Sequence, residues 1–220
     1  TEDRFGNKRL YHADYVVVAT GYFDHPNRLD IPGIHLPKVF SFFKEAHPFA
    51  GTKTAIVGGN NSAVDAALEI ERVGGKVTVI CRGETLSDRV KAWVRPVFES
   101  MVRKGRIQIF YRARLREVRE YSVLIEQEGN VFEMENDFVL QLIGFRPDRT
   151  LLKAIGVHVD PDTNVPQFDP KTMQTNVSGL YIAGVIAAGN DANAIFIENG
   201  RFHGELIAAD LAGKVRSRSS

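Results

Sequence analysis

One cysteine, Cys81, stands in 220 residues. A lone thiol closes no internal disulfide, so a small disulfide-stapled domain is excluded, and so is a Cys-x-x-Cys redox pair within this chain. Charge of one sign is also missing: 28 Lys and Arg face 27 Asp and Glu, for a net charge of +1. Nothing in that balance steers the protein to nucleic acid or to an acidic membrane. Long apolar runs are absent too. The stretch 180–189 falls well short of the ~20 residues that a bilayer-spanning helix needs, and no basic segment leads into an apolar core as in a signal peptide. His12, His25, His35, His47, His158 and His203 show no metal-ligand spacing. These absences point to a cytoplasmic protein without a metal. The chain opens at Thr1 in a polar segment, without Met, which reads as a processed or truncated start.

The composition is otherwise that of a globular protein, 44% hydrophobic and 25% charged. Its most informative stretch is residues 54–82. An apolar strand runs into a Gly-rich turn. A helix over 62–73 follows, with Ala63, Ala66, Ala67, Ile70 and Val73 at helical spacing, stopped by Gly74-Gly75. A second apolar strand covers 76–81. That order is a dinucleotide-binding βαβ unit. The turn, Gly58-Gly59-Asn60-Asn61-Ser62-Ala63, has the frame G-x-G-x-x-A with Asn60 in the second Gly position. The first Gly permits the tight turn, the small last residue lets helix and strand approach, and N–H groups at the helix start face a pyrophosphate. Asn tolerates left-handed backbone better than most residues, which suits Asn60 to that place.

The end of the second strand selects the nucleotide. An Asp or Glu there accepts the ribose 2′-OH of NADH; this chain has Arg82, whose guanidinium suits the 2′-phosphate of NADPH. Arg89 and Lys91 follow as further phosphate ligands, or as a solvated helix face. Glu84 keeps NADH as the alternative. Cys81 ends a buried strand pattern and reads as a small apolar filler rather than a redox nucleophile.

Around this unit the pattern is strand 15–19, a loop with Pro26, Pro32 and Gly33, and an aromatic-rich segment 40–49 ending at a hinge. A second amphipathic helix covers 88–104, with Val90, Trp93, Val94, Val97, Phe98, Met101 and Val102 on one face. Short alternating strands follow at 107–111, 115–119, 122–126 and 131–135, then a returning strand at 138–143. Beyond lie a short helix 150–155, a strand 179–183 and a final helix 193–212.

Four segments resemble a known family. Val17-Val18-Ala19-Thr20-Gly21-Tyr22 is similar to the ATG strand of flavoproteins with two dinucleotide-binding domains. The Gly58 turn comes next. Ile143-Gly144-Phe145-Arg146-Pro147 resembles the family's crossover. Thr175 to Gly184, which ends Leu180-Tyr181-Ile182-Ala183-Gly184, resembles its closing flavin signature. Within the low-molecular-weight thioredoxin-reductase-like group, residues 183–190 and 195–204 look most like the bacillithiol disulfide reductase branch. The resemblance implies an α/β fold in which a complete Rossmann-like NAD(P) domain, 51–145, is inserted in a partial FAD domain made of 1–50 and 146–220. It implies FAD and NADPH as cofactors, a homodimer, and reduction of a small-molecule disulfide, with a rotation at hinges near Phe49 and Gly144. It places Thr20, Gly21, Gly184 and Val185 by the flavin and its ribityl chain, and the start of the last helix, with Ala194 and Ile195, at the isoalloxazine ring.

The chain departs from that family in three ways. It has no Cys-x-x-Cys, so direct thioredoxin reduction is not expected. Val185 stands where Asp is usual, as the branch resemblance implies. The first FAD-binding βαβ unit, with the branch's candidate reactive Cys, would lie ahead of Thr1. A flavin monooxygenase is a second reading, weakened because Ser41 and Phe43 stand where its fingerprint before His47 needs Phe and Gly. A flavin-free NADPH-binding fragment is a third. His203 reads as a helix-surface residue that is able to face a ligand.

Overall fold

The computed structural model describes residues 1–218, with side chains for all of these except Asn193, Ser217 and Arg218. The chain divides into two compact units: residues 1–25 with 145–220, and residues 26–144. The first strand, β1 (Val16–Val18), belongs to the first of these, called the outer unit because its two segments flank the other, the inner unit, in sequence.

The inner unit begins at Pro26. Residues 26–50, which the sequence assigned to the flanking domain and hinge, supply β2 (Val39–Phe40) to the inner sheet. Then come β3 (Lys53–Val57), α1 (Asn61–Arg72), β4 (Lys76–Ile80), α2 (Arg95–Arg103) and β5 (Ile107–Phe110). The meander β6 (Ala113–Val118), β7 (Ser122–Gln127) and β8 (Asn130–Glu135) precedes β9 (Phe138–Gln141). The main sheet has the order β2-β9-β3-β4-β5, every pairing parallel, and the meander is a separate antiparallel sheet. Strands 3, 4 and 9 read as apolar runs because parallel strands are covered on both faces. On one side Ala63, Val64, Ala66, Ala67 and Ile70 of α1 pack on Ile56, Val77, Val79 and Leu140. Alanines at 63, 66 and 67 allow that close approach. On the other, Val123 and Ile125 of β7 pack on Ala55, Ile80 and Val139. Burial of this size is the main stabilising term, roughly 1.5–3 kcal/mol per large side chain. Phe49, expected at a hinge, is buried in this core and meets Phe138 edge-on at 5.3 Å.

The helix expected over 88–104 starts only at Arg95. Before it the chain makes successive turns, with the N–H of Val90 donating to Ser87 O and that of Val94 to Lys91 O, both at 3.0 Å. Pro96 explains the start: it lacks an N–H and its fixed φ suits a first helical turn. Trp93, expected on the buried face, is 75% exposed as a result.

The outer unit continues with α3 (Thr150–Ala154), β10 (Leu180–Ile182), α4 (Ile197–Gly200) and α5 (Phe202–Arg218). Strands β1 and β10 pair in parallel, Val16 with Leu180 and Val18 with Ile182. Around them Leu152, Tyr181, Ile182, Ile186 and Ile207 form a second core. The Tyr181 ring is fully buried, and its hydroxyl is met by Asp210 and by Lys214 at 2.8 Å. A buried phenol is thereby satisfied and α5 is tied to the sheet.

The single final helix expected at 193–212 is three pieces. A 3₁₀ turn spans Ala192–Ala194, and α4 and α5 are separate. The Asn199 side chain explains the break before α4. Its Oδ1 accepts the Phe196 N–H at 2.7 Å while its Nδ2 donates to Ala194 O at 2.9 Å, closing a local loop in place of a continuous helical ladder. Among the described residues no helix is long and apolar enough to cross a membrane, and no group of three or more His, Cys, Asp or Glu is placed to hold a metal.

Candidate nucleotide and flavin sites

In the inner unit the chain leaves β3 at Gly58, whose φ is +150°. A Cβ there would stand 2.6 Å from Leu142 O, so only glycine fits. Asn60 is the N-cap of α1 with φ −121°, extended rather than left-handed, so no glycine is required in its place. Its Oδ1 accepts the Asn61 N–H at 2.9 Å, and its carbonyl accepts those of Ala63 and Val64 at 3.1 Å. Among the described residues the N–H groups of Gly59, Asn60 and Ser62 have no protein acceptor. Those donors, at the positive end of a twelve-residue helix, fit a pyrophosphate.

Asn61 does more than open the helix. Its Nδ2 donates to Arg89 O at 2.9 Å, and its Oδ1 accepts the Lys91 N–H at 3.0 Å. One side chain thus ties the 88–94 turns to the start of α1, beside the Gly58 turn. Nothing in the sequence pattern marks this role, because both partners are backbone groups of a segment that reads as helix.

The charges after β4 are sorted. Glu84 lies 3.0 Å from Arg112, which also meets Glu128 at 3.2 Å. Lys91 lies 3.2 Å from Asp65 on α1. Arg82 is exposed and has no side-chain partner among the described residues. Cys81 is buried, with Sγ 3.5 Å from Thr85 O, which fits a structural filler.

In the outer unit the parallel pairing brings the ends of β1 and β10 together. The Ala183 N–H donates to Val18 O at 3.0 Å, so Thr20–Gly21 and Gly184–Val185 emerge side by side at the C-terminal strand ends, where open α/β sheets bind ligands. Gly21 and Gly184 have φ +73° and +74°, turning the backbone away from each strand. Gly144, at the end of the inner unit, has φ +91° and its carbonyl accepts the Asn27 N–H at 3.0 Å.

His203 is not a plain surface residue. Its Nδ1 accepts the Gly184 N–H at 3.1 Å, and burial holds its pKa below the usual histidine value. Gly200 closes on the same glycine, since a Cβ there would stand 3.4 Å from Gly184 Cα. Ala194 ends the 3₁₀ turn and Ile195 packs on the core, so neither opens a long helix as the resemblance implied.

A family model described as pyridine nucleotide-disulphide oxidoreductase matches residues 6–184. The chain is 48% identical over 207 residues to bacilliredoxin reductase Bdr of Bacillus subtilis, covering 94% of this chain and 64% of that one. It superposes on the bacillithiol disulfide reductase Bdr (YpdA) structure from Bacillus cereus with a TM-score of 0.93 at 45% identity, over 97% of this chain and 66% of that one. The Staphylococcus aureus structure of the same name gives 0.86 at 43%, over 91% and 62%. The chain therefore spans somewhat under two-thirds of the length of these relatives. The expected α/β fold, of the two-dinucleotide-binding flavoprotein kind with a partial outer domain, agrees with them.

Proposed function

The chain belongs to the pyridine nucleotide-disulphide oxidoreductase family, and on that premise we propose that it is the greater part of an NADPH-dependent flavoprotein that reduces a low-molecular-weight disulfide such as bacillithiol disulfide. One observation carries the reading. Each unit has a parallel-strand end that turns outward at a glycine, Gly58 in one and the Gly21–Gly184 pair in the other. Two such ends suit two dinucleotides.

In this reading the N–H groups of Gly59, Asn60 and Ser62 hold the NADPH pyrophosphate. Arg82 takes the 2′-phosphate, with Arg89 nearby. NADPH is favoured over NADH because Glu84, the group able to accept a ribose hydroxyl, is engaged by Arg112, while Arg82 is uncommitted among the described residues. Thr20, Gly21, Gly184 and Val185 line the flavin side, with Ala194 and Ile195 beyond. When bound, the nicotinamide and flavin supply the hydride chemistry. The residues of this chain bind and orient, and His203 keeps the Gly184 turn in place. The reading extends to a cytoplasmic homodimer. It is supported by the buried, unpaired Cys81 and by exposed apolar side chains at Phe196, Ile197 and Phe202.

The visible spectrum of the purified chain, mixed with FAD and then NADPH, tests this. A bound flavin band, bleached by NADPH and restored by bacillithiol disulfide, is expected. Oxygen-dependent NADPH use that the disulfide leaves unchanged would overturn the reductase in favour of a monooxygenase. Protection by NADPH with no flavin bound would reduce the reading to a nucleotide-binding fragment.

A further inference from the structure

In the outer unit a cavity of about 210 Å³ is lined by His25, Arg146, Arg149, Lys153, Asn164 and Asn190, among others. Arg149 is the unusual member. It is only 8% exposed. Its Nε donates to Asn164 O at 3.0 Å and its Nη2 to Ala188 O, while Nη1 is buried without a partner among the described residues. A buried guanidinium with an idle donor is rare, because each unmade hydrogen bond to a buried charge is expensive.

Positive charge is in excess around it, with Arg146 and Lys153 beside Arg149 and Asp148 as the lining carboxylate. Arg146 and Lys153 have no side-chain hydrogen bond or ion pair among the described residues. The carboxylate at this cavity, Asp148, is occupied locally: its Oδ1 accepts from Thr150 N at 2.8 Å and from Thr150 Oγ1 at 2.6 Å. Burial brings the Arg149 pKa down to about 10, outweighing the opposing pull of the nearby Asp148 carboxylate. The Asn164–Asn190 side of the cavity is held by hydrogen bonds. Asn190 donates from N to Thr163 O and from Nδ2 to Asp162 O, both at 2.8 Å, and accepts from Asn164 Nδ2 at 2.8 Å. Gly189 is required there, since a Cβ would stand 2.3 Å from Thr163 O.

We propose that this cavity is a binding site for a small-molecule oxyanion, a carboxylate or phosphate group that pairs with the Arg149 guanidinium and is drawn in by Arg146 and Lys153. Guanidinium groups match both oxyanions in geometry. The site stands whether or not the disulfide-reductase reading holds.

The test is titration of the full chain with succinate and, separately, inorganic phosphate, at constant ionic strength. The amide resonances of Gly189 and Asn190 report binding. Saturable shifts are expected in the unaltered chain. The Arg146→Gln/Lys153→Gln double variant, which alters only exposed side chains, should weaken binding about tenfold or more, and Arg149→Met should abolish it. Saturation by phosphate alone assigns a phosphate ester, by succinate alone a carboxylate, and by both a site that recognises charge. No saturable shift with either anion overturns the proposal. So do shifts of undiminished affinity in the double variant, a result that stands even if Arg149→Met fails to fold.

Discussion

The Sγ of Cys81 lies 2.6 Å from the point where a Cβ on Gly59 would stand. The thiol at the end of β4 therefore fixes a residue of the nucleotide turn, at a position where the G-x-G-x-x-A frame makes no demand of its own. Gly59→Ala should destabilise the protein by about 1–3 kcal/mol through overpacking. Removing the sulfur should relieve it: in Gly59→Ala/Cys81→Ala the nearest thiol atom is gone, and Cys81 Cβ is at an ordinary 3.8 Å. Urea denaturation of the four proteins of this cycle should show a coupling of about 1 kcal/mol or more between the sites. Simple additivity would mean the turn moves away from Cys81 without strain.

Arg82 and Glu84 are two residues apart, and among the described residues only Glu84 is spoken for, by Arg112 at 3.0 Å. Arg82→Glu should weaken NADPH binding about tenfold or more, the order expected for a lost charge-assisted hydrogen bond, and leave NADH within about threefold by the same arithmetic. Fluorescence titration of both nucleotides measures this. Equal losses for the two would remove Arg82 from the 2′-phosphate site.

The βαβ unit was legible because its signals are local. Ala63, Ala66, Ala67 and Ile70 mark one helix face, Gly74 ends it, and each flanking strand is an apolar run. The 88–104 segment misled for the opposite reason. Its apolar spacing is helical, yet the path of residues 88–94 is set by Asn61, which is nearly thirty residues away in sequence and donates to Arg89 O. Periodicity carries no trace of such a tertiary bond. His203 was likewise invisible as a ligand of Gly184, since its partner is a backbone N–H nineteen residues earlier. The idle Nη1 of Arg149 has no sequence signature at all, because it depends on which carbonyls reach the other two nitrogens.

Asn61→Ala should release the 88–94 turns. Two hydrogen bonds at 2.9 and 3.0 Å are lost, and the global cost should be about 1–2 kcal/mol. The local effect is more diagnostic. Amide exchange should quicken at residues 89–94, with little change in β3 and β4. Asn61→Asp keeps the acceptor for the Lys91 N–H but loses the donor to Arg89 O, so it should fall between the two. Uniform exchange across the unit would show that Asn61 does not hold this segment.

His203 accepts the Gly184 N–H through Nδ1. Only an unprotonated nitrogen accepts, so the folded protein holds neutral imidazole with its proton on Nε2. Burial lowers the folded pKa below that of the unfolded chain, where histidine titrates near 6.5. The unfolded chain therefore takes up this proton at the higher pH. Stability from the contact is whole above about pH 6.5 and is lost as pH falls through the lowered folded value. His203→Gln keeps an acceptor and cannot titrate in this range. The urea midpoint of the unaltered protein should drop between about pH 7 and 5, spanning the histidine range, and the variant should lack that part of the drop. Its Gly184 amide shift should also stay constant where that of the unaltered protein moves. Parallel pH profiles for the two proteins would show that protonation elsewhere, and not at His203, governs the Gly184 turn.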